Sequence, residues 1–414
     1  MHVMSAVQRR VTYKLYPSVA QAAEMERVRE LHRQLYNAAL QERSDAWRLN
    51  RVSIGFAAQC KSLTTIRREH PEYAGINAQS LQVTLKRLSF AFTAFFRRIA
   101  EGEEKPGYPR FKSRDRFSGW GYKHHGDGFR FTPAANWQHG KLRLTGIGVI
   151  RARGEARTPG QIVCCDIMRK TDGWFLSLVI KCEPHRERSE NAVAGLDWGV
   201  ETFATLCYGP HEFAEIENDR LFAQEQDAIK AAQRDLSRRG KRTRQAERAK
   251  RALARRSRRL ANRRKDRNHQ TTAKLARHHA LLVTEALSIK NMTASAKGTA
   301  DKPGKKVRQK AGLNREILDT APGSWLSLLI CKAEEAGGRV ILVDPRKYKP
   351  SQTDPISGEV RKKTLNERIH VLSNGREITR DQASAWVLWN IGQRILAAER
   401  RAVRNGLETV ARAA

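Results

Sequence analysis

The chain has 414 residues, with 78 Lys and Arg against 43 Asp and Glu, a formal net charge of +35 and a pI near 10.6. Apolar residues make up 40% of it, too many for a wholly disordered chain, and so large a positive excess calls for a polyanion to neutralise it. No charge-free run is long enough for a membrane span, the N-terminus runs into Arg9-Arg10 instead of a secretory apolar core, and the six cysteines form no Cys-x-x-Cys pair. A soluble, intracellular protein of two or three packed domains is expected, without structural disulfides or zinc.

In chain order, Val11-Thr12-Tyr13-Lys14-Leu15-Tyr16 alternates as a strand and stops at Pro17; Ser18 can then cap a helix through Met25, Val28, Leu31, Leu35, Tyr36 and Ala39. A second helix spans roughly 77–100, with Leu81, Leu85, Leu88, Phe92, Phe95 and Phe96 at helical spacing and read as core. After the turn cluster Pro106-Gly107-Tyr108-Pro109, short alternating runs over 141–143, 146–151, 162–169 and 174–181 predict a small β-barrel or sandwich, into which 18–100 is inserted.

A new domain begins near Ala192. Strands are predicted at 193–197, 202–206 and 212–216, and the first delivers Asp197 at its end. Residues 224–286 read as long helices, and their Arg/Lys run between Arg238 and Lys265 would repel itself at i, i+4 spacing, so an anionic partner is expected along it. A buried strand at 286–292, a basic loop at 294–311, a helix from Pro322 to Ala336, a strand from Arg339 to Val343, an irregular stretch and a last helix from Asp381 complete the order β-β-β-α-β-α-β-α of an RNase H-like domain.

Gly195-Leu196-Asp197-Trp198-Gly199-Val200 resembles the first RuvC motif of the TnpB family and of miniature type V CRISPR effectors. Tyr13-Lys14-Leu15-Tyr16-Pro17, Tyr36-Asn37-Ala38-Ala39-Leu40, the stretch from Lys105 to Ser113, the stretch from Arg259 to Asp266, Gly312-Leu313-Asn314-Arg315 and Val343-Asp344-Pro345 resemble further family segments in the same order. The resemblance implies an α+β multidomain chain: a wedge β-barrel (1–17 and 101–190) with an inserted helical recognition domain (18–100), followed by an RNase H-like RuvC domain. That domain would comprise 191–350, with basic helices at 224–286, and the C-terminal helix 381–414. Between them, 351–380 resembles the family's zinc ribbon with Asp354, Ser357, Val371 and Asn374 at the cysteine positions, so no zinc is expected.

RuvC chemistry needs carboxylates from separate elements to hold divalent metals. Asp197 and Asp381 match the first and third positions, although Ala383 replaces the Asn of the third motif. Aligned on 287–292, the second position is Lys290, an ammonium that would repel a metal; Glu285 falls five residues upstream, on the opposite sheet face in that register, and Glu377 is a weaker substitute.

The expected function is therefore RNA-guided binding of double-stranded DNA next to a short flanking motif, without cleavage and with no cofactor required. The alternative is an active RuvC endonuclease or nickase using Mg2+, and a third reading is guide-independent DNA binding. The implied partners are guide RNA and target DNA, with no membrane. Asn77, Gln79 and Gln82 are the candidate flanking-motif readers, because amides suit adenine edges. Lys14, Arg110, Lys112, Arg255, Arg256, Arg259, Arg263, Arg264 and Arg315 are the candidate phosphate contacts. Lys290 is expected to fill the metal space and pair with Asp197 or Asp381.

Overall fold

The structure, a computed structural model, describes residues 7–413 apart from 157, 184–185, 188–191, 241–242, 300–301 and 365–366, and no side chain beyond 402. It divides into two compact units, Met1–Pro184 and His185–Ala414.

In the first unit, β1 (Val7–Tyr16) leads into α1 (Val19–Asn50), α2 (Phe56–Glu69), the single turn α3 (Pro71–Ala74) and α4 (Ala78–Ala100). Ser18 and Gln21 close a reciprocal capping box at the start of α1, which satisfies amides that otherwise lack partners and explains why the helix begins at Val19. Six strands follow: β2 (Gly119–Tyr122), β3 (Phe129–Pro133), β4 (Gln138–Leu144), β5 (Gly148–Glu155), β6 (Gln161–Lys170) and β7 (Gly173–Cys182). They join β1 in one curled antiparallel sheet ordered β2-β6-β7-β1-β5-β4-β3, so the first strand of the chain sits at its centre. Alternate residues such as Tyr13, Leu15, Trp120, Leu142 and Leu176 form its core, while Leu35, Leu40, Leu63, Leu81 and Leu85 hold α1, α2 and α4 together. Phe96 departs from its core assignment and is 60% exposed: Phe92 packs against the helical core, while Phe96 stacks on Phe92 and Phe95 at its edge.

In the second unit, β8 (Ala192–Trp198), β9 (Thr202–Gly209) and β10 (Glu212–Glu217) form an antiparallel meander. The helices α5 (Leu221–Arg238) and α6 (Arg244–His278) then lead to β11 (His279–Glu285). After α7 (Ile289–Met292), α8 (Val307–Thr320) and α9 (Pro322–Glu335) comes β12 (Arg339–Val343). The sheet order is β10-β9-β8-β11-β12, with β11 parallel to both β8 and β12. The chain closes with α10 (Pro345–Tyr348), the hairpin β13 (Ile369–Val371) and β14 (Glu377–Thr379), and α11 (Arg380–Ala413). One sheet face packs on α6 and α9 through Leu275, Trp325 and Leu329; the other packs on α11 through Val387, Leu388 and Ile391.

One displacement bears on function. The strand expected at 286–292 lies at 279–285 instead, since the continuous buried run Leu281-Leu282-Val283 is what a parallel interior strand requires, and α6 ends at His278 to release it. Among the described residues, no helix is long and apolar enough to cross a membrane.

Candidate carboxylate site and nucleic-acid contacts

On β8 and β11 the side chains alternate between the two helical layers. Val193, Leu281 and Val283 face α11, and by the same period so do Gly195, Asp197 and Glu285. The strands pair Thr284 with Leu196, which brings Glu285 and Asp197 to the same level at the carboxyl ends of two neighbouring parallel strands. Gly195 lets α11 come down onto this edge: a Cβ there would stand 2.0 Å from the carbonyl oxygen of Ala385 and 2.2 Å from the amide nitrogen of Trp389. Asp381 and Ser384, on the first turns of α11, are thereby set over Asp197. The Ser384 hydroxyl donates to Asp197 Oδ1 at 3.0 Å, and a Cβ at Gly199 would lie 3.9 Å from Asp381 Oδ2.

Asp197 is partly open to solvent yet closely surrounded by protein. Desolvation raises its pKa well above the ordinary carboxylate value, Glu285 and Asp381 raise it further, and Ser384 and Arg380 offset this in part. Burial also raises the pKa of Glu285. The three carboxylates repel one another, and among the described residues no trio of His, Cys, Asp or Glu side chains is gathered closely enough to form a finished cage. As a donor set they suit a hard divalent cation, which would remove the repulsion.

Lys290 lies on α7, beyond the end of β11, and is exposed. With β11 ending at Glu285 rather than running through 286–292, Glu285, not Lys290, stands level with Asp197 at the strand ends. Glu377 is exposed on β14.

The candidate nucleic-acid residues separate by whether the fold already uses them. In the first unit, Asn77 is committed: its Oδ1 accepts from Ser80 N at 3.0 Å as the cap of α4, and its Nδ2 donates to Asp127 at 2.7 Å. Gln79 and Gln82 follow on the first turns of α4, partly exposed, and Gln79 Oε1 is buried without a hydrogen-bond partner. Lys14 lies 4.0 Å from Asp172 and over the rings of Tyr16 and Phe175; Lys112 lies over Tyr36; Arg110 is exposed.

In the second unit, Arg255, Arg259 and Arg315 are exposed. Arg256 and Arg263 each stand 3.9 Å from Glu225. Arg264 is committed: it pairs at 2.6 Å with Asp319, which is 2% exposed and also accepts from Phe222 N, tying α5, α6 and α8 together.

Known proteins can now be set beside this geometry. The family described as "Probable transposase" (OrfB_IS605) matches residues 177–296, which hold β8 to β11, and the "Helix-turn-helix domain" of the same family matches 4–51, which here is β1 and α1. The "Putative RNA-guided DNA endonuclease InsQ" of Escherichia coli (strain K12) is 29% identical over 80% of this chain and 79% of its own. A "Putative RNA-guided DNA endonuclease" of Streptomyces pristinaespiralis is 27% identical over 92% of this chain and 89% of its own. Among solved structures, the protein of a Cas12f1-sgRNA-target DNA complex covers 93% of this chain and 99% of its own at 10% identity, with a TM-score of 0.54, a likeness of fold.

Proposed function

We propose that this chain, which is TnpB-like and similar to RNA-guided DNA endonucleases, cleaves DNA matched to a bound guide RNA with Asp197, Glu285 and Asp381 as its metal-holding carboxylates. The observation that carries this reading is the register of β8 and β11, which sets Glu285 beside Asp197 under the first turn of α11. A divalent metal held there supplies charge neutralisation at the phosphate and an activated water. The chain's own residues hold three oxygen donors on two strands and a helix, and the Ser384 hydroxyl fixes the rotamer of the first.

The wider reading is an RNase H-like RuvC domain joined to a wedge-like sheet and a helical recognition layer, as the strand order of the second unit and the position of α1 to α4 between β1 and β2 support. Guide and target would be held by phosphate contacts from Arg255, Arg256, Arg259, Arg263 and Arg315, and from Lys14, Arg110 and Lys112 in the first unit. Base pairing would supply the sequence reading, while Gln79 and Gln82 would read a short flanking motif.

The test is guide-dependent cleavage of matched duplex in Mg2+ by protein purified with its own RNA. Cutting that disappears in Asp197→Ala and Glu285→Ala but persists in Lys290→Ala supports the reading. Matched DNA held and left uncut by the unmodified protein sinks it in favour of target occupancy without cleavage.

A further inference from the structure

The segment between β12 and α11 has little apolar material, yet it contains one of the most buried carboxylates in the chain. Asp354 is 1% exposed. Its Oδ1 accepts from Ile356 N at 2.9 Å, Ser357 N at 2.8 Å and Ser373 Oγ at 3.3 Å, and its Oδ2 accepts from Ser373 N at 2.8 Å. Two of these donors belong to its own turn, and the others to the β13–β14 hairpin almost twenty residues on. Behind it, His370 is 1% exposed with Nε2 3.5 Å from Asp354 Oδ2, while Lys363 bonds the other ring nitrogen. A neutral ring with its proton on Nε2 would accept from the Lys363 ammonium and donate toward the carboxylate. The ribbon-like positions Asp354, Ser357, Val371 and Asn374 include no thiolate and only one charged ligand, so they do not suit tetrahedral zinc; hydrogen bonds to one carboxylate close the two loops.

The closed segment is seated on α11. Asn390 donates to Pro355 O at 2.7 Å, and Leu372 and Ile378 pack with Ala383, Ala385 and Trp386. β14 runs directly into the helix, where Thr379 and Gln382 exchange capping bonds at 3.1 Å on either side of Asp381. Asp381 is thus held between a capped turn and a hairpin that the Asp354 carboxylate ties down.

We propose that Asp354 is a positioning residue for Asp381, its buried carboxylate acting as a metal-free clasp that fixes the first turn of α11. The inference rests on the cleavage reading for its catalytic consequence and on geometry alone for the clasp.

Its test uses the full chain with bound RNA and three variants, Asp354→Asn, Asp354→Glu and the milder Ser373→Ala. Amide exchange over 369–386 in EDTA is expected to rise about tenfold or more in Asp354→Asn and less in Ser373→Ala, with β1 to β7 unchanged, because one acceptor of several amides is lost. Cleavage of matched DNA should slow in Asp354→Asn at unchanged DNA affinity, recover in part at high Mg2+, and be partly retained in Asp354→Glu. Unaltered exchange in both Asp354→Asn and Ser373→Ala would remove the clasp. Faster exchange with full-rate cleavage, or equal losses of affinity and cleavage, would reduce Asp354 to a structural residue. If the unmodified protein does not cut at all, the cleavage reading fails, while exchange still decides the clasp.

Discussion

Two aspartates of the second unit meet opposite fates. Asp197 is desolvated, has two carboxylate neighbours and only one hydroxyl donor to offset them, so its pKa is pushed well above the ordinary value; Asp354 collects three backbone amides and a hydroxyl, and despite its burial its pKa is drawn down to about 2. Burial alone therefore does not tell a reactive group from a structural one. What separates them is whether the fold itself completes the hydrogen bonding. Asp354 is satisfied by its own chain, whereas Asp197 has one hydroxyl donor and like charges beside it. The same contrast divides Arg264 from Arg259 and Asn77 from Gln82, and it can be broken at each pair.

The largest effect should come from the unsatisfied group. Asp197→Ala and Glu285→Ala should each lower guided cleavage by on the order of a thousandfold or more, since groups that act as a unit lose most of their effect together. Lys290→Ala should change it less than about threefold, given its place on α7 beyond the end of β11. Single-turnover cutting of matched duplex in Mg2+ measures both.

Next is the committed arginine. Removing Arg264 leaves Asp319 buried without its cation, so Arg264→Gln should destabilise the chain by about 3 kcal/mol. Arg259→Gln should cost little stability and instead reduce the slope of log affinity against log salt by about one. Thermal melts and nucleic-acid titrations at several salt concentrations separate the two; a shallower salt slope for Arg264→Gln at unchanged stability would undo the distinction.

The two aspartates themselves give pH signatures of opposite sign. A carboxyl whose folded pKa is depressed stabilises above its unfolded value, and this is lost as pH falls through the folded one; for Asp354, from 3.8 to about 2, the contribution is about 2 kcal/mol. Asp197, raised when folded, burdens the protein increasingly as pH climbs past 3.8 toward its folded value. In EDTA at neutral pH, Asp354→Asn should therefore melt below the parent and Asp197→Asn above it, both gaps closing in acid. Mg2+ should raise the melting temperature of the parent and not of Asp197→Asn.

Much of this architecture is legible in the sequence where periodicity has one reading. The β8–β10 meander, α9 and β12 follow from alternation and turn residues, and the missing thiolates of 351–380 are plain. The place of Glu285 is not legible, because Leu275, Leu281 and Leu282 satisfy a helical period as well as a buried strand, and only pairing with Val193 to Leu196 decides between them. The role of Asp354 lay beyond any local pattern, since its partner Ser373 is brought in by the hairpin. The cap at Asn77 is legible too: an Asn immediately before an amphipathic helix is a cap signal, and that use competes with base reading.

That competition sets the smallest and sharpest test. Asn77 spends its oxygen on Ser80 N and its amide group on Asp127, so neither end is left for a base edge without opening the start of α4. Asn77→Ala should cost about 1 kcal/mol, the usual loss for a helix cap, while preference among flanking sequences stays as in the parent. Gln82, five residues on and partly exposed, has no cap to maintain; Gln82→Ala should shift stability by less than about 0.5 kcal/mol and relax selection at one flanking position. Binding of the RNA-loaded protein to a library randomised beside the matched segment reads preference, and a melt reads stability. A changed preference in Asn77→Ala at unchanged stability would show that base reading, not capping, is what this amide does.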